Sequence, residues 1–135
     1  MKKAYLLLLL TCMLFIAACK KEAATPEKRI TGEWHTLSYR HLFSSSTLWQ
    51  NFSGIRITFG FKPNQVFTVD GEAPVRPDGK WKLTKHMDDF YNLEVTTGDT
   101  LHQYHARFSH NDTLELWPVK QTIVNQLAIL RLVRK

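Results

Sequence analysis

Cysteine is scarce in this chain. Only Cys12 and Cys19 occur among its 135 residues, and both precede residue 20. The region from residue 30 onwards therefore has no thiol that could form a disulfide or act as a nucleophile. A folded domain in that region must be held together by its hydrophobic core alone.

Catalytic motifs are also missing. No serine lies in a Gly-x-Ser-x-Gly elbow, and no glycine-rich loop is present that could cradle a phosphate. The adjacent carboxylates of Asp88 and Asp89 lie in a predicted turn, where capping or solvation is a commoner role than acid-base chemistry. We expect no enzymatic activity and no cofactor.

The histidines do not have the spacing of a metal site. His102 and His105 are three residues apart and point to opposite faces of one strand, whereas His35 and His41 share a face but lie about 20 Å apart. Neither pair can share a zinc ion without ligands from other strands. We therefore expect no metal site.

A hydrophobic run long enough to span a membrane is absent. Lys2 and Lys3 precede an apolar stretch over residues 6–16, which is interrupted by Thr11 and Cys12. This stretch is shorter than the ~20 residues of a stable span, so it predicts a cleaved signal segment over residues 1–18.

The residues Ile16-Ala17-Ala18-Cys19 resemble the lipobox of bacterial lipoproteins. The resemblance implies that the signal peptide is cut before Cys19 and that acyl chains such as palmitate are attached there. Two or three such chains anchor a protein stably, whereas one does not. The implied partner is a lipid bilayer. The implied location is the outer membrane of the Gram-negative envelope, either on its periplasmic side or at the cell surface. An ordinary secretory signal is the alternative.

Residues 19–29 are expected to form a lipidated flexible tether. They are rich in Lys, Glu, Ala and Thr with one proline, and could reach at most roughly 35 Å when extended. Lys20-Lys21-Glu22 loosely resembles the charged signals that send some lipoproteins to the cell surface. A solvated tether without sorting information is the alternative.

The folded part carries little net charge. The formal charge of +6 falls to +4 without Lys2 and Lys3, and to +2 once the charges of residues 20–29 are set aside. Nucleic-acid binding needs a clustered basic footprint, so we expect no nucleic-acid partner.

Residues 30–135 alternate between apolar and polar side chains with a period of two, which is typical of half-buried strands. In the first strand, Leu37, Tyr39 and His41 are predicted on one face, opposite Trp34. Turn residues separate the segments, and no convincing helix is present. The eight predicted strands span 34–41, 55–62, 66–70, 80–84, 91–96, 101–108, 113–117 and 126–134. Such a meander closes into a barrel or folds into a sandwich.

Several of these segments together resemble a known family. They are Gly32-x-Trp34, Ile55-x-Ile57-x-Phe59 followed by Pro63-Asn64 and Phe67, Gly79-x-Trp81-x-Leu83, Asp112-Thr113-Leu114-x-Leu116, and Leu130-Arg131-Leu132-Val133-Arg134. Their order is similar to that of small bacterial lipocalin-like lipoproteins. The resemblance implies an all-β, eight-stranded antiparallel up-and-down β-barrel over residues 30–135.

The same resemblance implies how the barrel closes. The tryptophan of Gly32-Glu33-Trp34 should pack under an arginine of the last strand, either Arg134 or Arg131. A guanidinium desolvated over an indole contributes ~2 kcal/mol. The alternative is that both arginines are simply exposed.

The predicted inward side chains are bulky. An eight-stranded barrel is just wide enough to be filled by side chains or to hold one small ligand, and both outcomes remain open. The predicted inward residues are Trp34, Phe59, Phe61, Phe67, Trp81, Leu83, Leu93, Leu114 and Leu116.

The first connection, residues 42–53, is long and carries Leu48, Trp49 and Phe52. With Tyr39, these are the candidate ligand-binding residues, because apolar residues on a loop often mark a binding rim; the alternative is that Trp49 and Phe52 plug the core. We expect a non-catalytic module that binds a small apolar or amphipathic ligand at the barrel mouth. The alternative is a protein-interaction module, an inhibitor or envelope-assembly subunit, built on a filled barrel whose protein partner is unknown.

Overall fold

The structure, a computed structural model, describes residues 24–53, 57–71, 78–110, 112–120, 123 and 128–135. The predicted signal segment, Cys19 and residues 20–23 of the tether lie outside these ranges, as do residues 55–56 and 126–127 of two predicted strands. The described strands are β1 (Gly32–His41), β2 (Gln50–Asn51), β3 (Thr58–Phe61), β4 (Val66–Asp70), β5 (Asp78–Met87), β6 (Phe90–Thr97), β7 (Thr100–His110), β8 (Thr113–Lys120) and β9 (Ala128–Arg134).

Eight of these strands form a closed antiparallel barrel. β1 and β3 to β9 each pair with their neighbours in sequence, and β1 also pairs with β9, so that Trp34 lies opposite Arg134 and His41 opposite Ala128. The two-residue strand β2 is an addition that pairs with Ser38 and Tyr39 of β1. The predicted all-β, eight-stranded antiparallel barrel is thereby confirmed, and the sandwich alternative is wrong.

Large side chains occupy the interior. All nine residues predicted to point inward are buried, and Ile57, Val95, Tyr104, Ala106 and Leu132 join them in one core. Burial follows the strand period, because successive side chains point to opposite faces. Much of the barrel interior is therefore filled by the protein itself.

A β-bulge changes the faces of β1. Thr36 lies opposite Leu132, but the next pair is Ser38 with Arg131, so one extra residue is accommodated between them. Tyr39 consequently lies opposite Leu130 and packs against the core. The prediction that Tyr39 lies on the face opposite Trp34 is wrong, because alternation along the sequence does not reveal a bulge.

The end of the barrel where β1 begins and β9 ends is called the floor here, and the opposite end the mouth. A short helix, α1 (Pro26–Ile30), covers the floor and fully buries Ile30. The Trp34 indole Nε1 donates to the Ile30 carbonyl oxygen at 2.7 Å. Residues 26–29, assigned to the tether from their polar composition, thus belong to this helix.

Arg134 completes the floor. Its guanidinium carbon lies 4.5 Å from the centre of the Trp34 ring, Nη1 donates to the Thr31 carbonyl oxygen at 2.8 Å, and Nη2 donates to that of Arg29. Gly32 makes room for this contact. Its φ is 137°, and a Cβ there would lie 2.7 Å from Nη1 of Arg134.

Candidate functional site

A cleft of about 310 Å³ opens at the mouth, between the end of β1, the start of β9 and the segment that follows β2. β2 holds this segment in place, since the Phe52 amide donates to the Leu37 carbonyl oxygen at 3.2 Å. The Phe52 ring therefore lies against that of Tyr39, with 4.9 Å between the ring centres. The residues lining the cleft are Tyr39, His41, Asn51, Phe52, Ser53, Ala128 and Leu130.

The lining of the cleft includes both apolar and polar residues. Leu130 belongs to the core, and Tyr39 and Phe52 pack against it. Asn51 and Ser53 are exposed and bring hydrogen-bonding groups to the rim. This arrangement suits a small molecule with one apolar and one polar part.

The four candidate binding residues divide into two pairs. Tyr39 and Phe52 meet in the mouth cleft, whereas Trp49 lies on the outer wall and Leu48 is 75% exposed. The guanidinium carbon of Arg131 is 3.8 Å from the centre of the Trp49 ring, and that of Arg40 is 5.2 Å from it. Trp49 therefore neither plugs the core nor lines the cleft.

β9 contributes two residues to the cleft that the sequence pattern does not single out. Leu130 lies opposite Tyr39, and Ala128 lies opposite His41. The signal was present in the sequence, since pairing Trp34 with Arg134 fixes the register of both strands up to the bulge. The bulge shifts the pairing by one residue, so it must also be known before the residues of β9 at the mouth can be predicted.

The outer wall holds a buried ion-pair cluster that the sequence did not indicate. The carboxylate of Glu115, only 3% exposed, accepts from Arg107 at 2.7 Å and from Arg131 at 3.0 Å. Burial would raise the pKa of Glu115, but the hydrogen bonds from the two arginines outweigh it, so that the pKa lies below its ordinary value. The same Arg131 stacks on Trp49, which fixes the 42–49 loop against the wall.

The histidines of the described residues do not form a metal centre. No group of three or more His, Cys, Asp or Glu side chains in that part of the chain could hold a metal ion. His86 and His105 stack with ring centres 4.5 Å apart, and burial, followed by the charge of His86, lowers the pKa of His105. Among the same residues, no helix has the length and hydrophobicity needed to cross a membrane.

These features define a small closed β-barrel with a covered floor and an aromatic cleft at its mouth. No protein-family model matches the chain, and neither a curated protein nor a solved structure matches it.

Proposed function

We propose that this protein is a lipid-anchored, lipocalin-like module that binds a small amphipathic ligand in the mouth cleft without transforming it. The observation that carries the proposal is the cleft itself, which is lined both by the paired rings of Tyr39 and Phe52 and by the polar residues Asn51 and Ser53. Its volume of about 310 Å³ falls at the lower end of the roughly 300–1,000 Å³ typical of small-molecule sites.

The anchoring part of the proposal rests on the sequence. Acylation of Cys19 after removal of residues 1–18 would hold the barrel at the outer membrane of a Gram-negative envelope. Only six residues separate Cys19 from the start of α1 at Pro26. The floor would then face the bilayer and the mouth would face away from it, which leaves the cleft accessible.

A second candidate is a protein-interaction module, and the 42–49 loop favours it. Phe43 is 85% exposed and Leu48 is 75% exposed, and both lie on a loop held to the outer wall through Trp49. Exposed apolar side chains on one segment are common at protein contacts. This function would use the outside of the barrel rather than the cleft.

Native mass spectrometry of the acylated protein released from membranes tests the first candidate. We expect a co-purifying species as added mass on the wild-type protein, and its loss in Phe52→Ala. Leu48→Ala is the matched control, because it removes an apolar loop residue outside the cleft. Wild-type protein that carries no added mass would contradict ligand binding at the mouth, whereas a stoichiometric protein partner lost only in Leu48→Ala would favour the second candidate.

A further inference from the structure

A larger cleft, of about 540 Å³, lies near the floor on the side of β5. Three elements enclose it: α1, the turn Pro63–Gln65 and the part of β5 around Trp81. It is at the other end of the barrel from the mouth cleft and shares no lining residue with it.

The cleft exists because β4 is shorter than β5. Within the described residues, β4 pairs with β5 only from Asp78 to Lys80, while β5 continues to Met87. Beyond Lys80, β5 remains paired with β6 on one side, while on its other side it lies beside α1 and the Pro63–Gln65 turn instead of beside β4. Such a gap in the sheet brings the edge of the core close to the surface.

The inner wall of the cleft is apolar. Trp81 and Leu83 are core residues that border it, and Pro63 adds a further apolar surface. The Trp81 indole Nε1 donates to the Lys62 carbonyl oxygen at 3.0 Å, which fixes the ring. An alkyl chain would meet a preformed wall there and would lose its contact with water.

The rim of the cleft is mostly cationic. Lys28 comes from α1 and Lys82 from β5, and neither forms an ion pair within the described part of the chain. Glu94 lies opposite Lys82 on β6, but its carboxylate accepts from Gln103 at 3.4 Å. Glu27 also lines the cleft and supplies one negative charge against the two positive ones.

We propose that this floor cleft binds an anionic amphiphile with a single alkyl chain. The chain lies against Trp81, Leu83 and Pro63, and the anionic headgroup lies between the ammonium groups of Lys28 and Lys82. Glu27 opposes the headgroup and weakens the binding. The site is independent of the mouth cleft and of its ligand.

The test uses the full acylated chain in zwitterionic nanodiscs, labelled with fluorotryptophan. The fluorine resonance of Trp81, assigned by its absence in Trp81→Phe, is followed while octanoate or octyl phosphate is added. We expect a saturable shift with either anion, the tighter of the two identifying the preferred headgroup. Octyltrimethylammonium, which has the same chain and the opposite charge, should give none.

Charge variants separate this site from a general apolar effect. Lys28→Gln combined with Lys82→Gln should weaken anion binding roughly tenfold, whereas Glu27→Gln should strengthen it. Lys80→Gln is the matched control, because Lys80 is an exposed lysine of the same strand outside the cleft. Melting temperatures check that each variant is folded.

Three results would overturn the proposal: no shift of Trp81 with either anion, equal binding of the cationic amphiphile, or unchanged affinity of the double lysine variant. Phe52→Ala should leave the octanoate titration unchanged. If Phe52→Ala abolished binding and the lysine variants did not, the amphiphile would occupy the mouth, and the floor site would fail while the proposed function stood.

Discussion

Trp34 joins three parts of the molecule at one side chain. Its ring is fully buried, its indole donates to the carbonyl of Ile30 in α1, and Arg134 of β9 lies over its face. The contact combines apolar burial, a hydrogen bond and a cation–π interaction, which are separate contributions to stability. Trp34 is thus a structural residue of the floor and lies away from both clefts.

Trp34→Ala should lower the free energy of unfolding by about 3–5 kcal/mol, because it leaves a large cavity under Arg134. Trp34→Phe should cost less, since it keeps most of the apolar volume and loses mainly the indole hydrogen bond. Urea unfolding followed by circular dichroism measures both, with Leu37→Ala on the exposed side of β1 as the control. An unchanged midpoint for Trp34→Ala would mean that the floor closes without this ring.

Glu115 makes stability depend on pH. Because its pKa is lower in the folded protein than in the unfolded chain, the carboxylate contributes stability above its ordinary pKa, and the contribution is lost as the pH falls through the lowered value. Glu115→Gln should therefore be less stable than wild type by about 1–3 kcal/mol at neutral pH. The difference should narrow below pH 4.5, the ordinary value for this group.

Urea unfolding of wild type and Glu115→Gln at neutral pH and near pH 3 measures this difference. If the difference in unfolding free energy between the two proteins were the same at both pH values, the effect would be due to packing and not to charge. Trp49 fluorescence gives a second readout, because loss of the carboxylate frees Arg131 from the ion pair that positions it under the indole.

At the scale of secondary-structure elements, α1 is the element that the amino-acid composition does not predict. Five residues with three charges have too few apolar positions for an amphipathic pattern, yet Thr25 accepts from the Lys28 amide and Pro26 occupies the first turn. Arg29 lies over Phe108 at 4.4 Å, and Ile30 enters the core. Tertiary contacts, more than intrinsic propensity, hold so short a helix.

Ile30→Ala should cost about 2–4 kcal/mol, the usual range for a truncated and fully buried aliphatic side chain. Lys28→Ala, an exposed position two residues earlier, should cost little. Thermal unfolding compares the two. Equal melting temperatures for both variants would show that α1 rests on the floor without stabilising it.

The positions of the strands can be predicted from the sequence to within a few residues, whereas the residues of the mouth cleft can be predicted only in part. Alternation is clearest in β4 to β7, where the buried residues of each strand share one face. The bulge in β1 and the pairing of β2 depend on backbone geometry, which the side-chain pattern does not reveal. The sequence pattern therefore predicts the wrong face for Tyr39, and it predicts Trp49 at the mouth although Trp49 lies on the outer wall.

At the scale of the whole molecule, the first and last described strands are neighbours. The Lys135 amide donates to the Glu33 carbonyl oxygen at 3.0 Å, and the side chains of the same residues form an ion pair at 3.0 Å. Arg134 also reaches the carbonyl of Arg29. Both ends of the folded region therefore lie at the floor.

A circular permutant that joins Lys135 to Thr25 by a short Gly-Ser linker and opens the chain between Asp88 and Asp89 should fold. The new ends fall in an exposed turn, where cutting the chain removes no strand pairing. A permutant opened between Leu114 and Glu115 should not, since it divides β8. Hydrogen exchange of the backbone amides tests this prediction. Unprotected amides in β1 and β9 of the first permutant would contradict it.

The contact between Trp34 and Arg134 also has a consequence for the order in which the parts of the barrel fold. Pairings such as β5 with β6 and β6 with β7 join residues close in sequence, whereas Arg134 bonds to residues 103 and 105 positions away. Closing so long a loop is slow compared with forming local hairpins. We expect an open meander to form first and the β1–β9 seam last, so that Trp34→Phe speeds unfolding and leaves the refolding rate nearly unchanged in stopped-flow experiments.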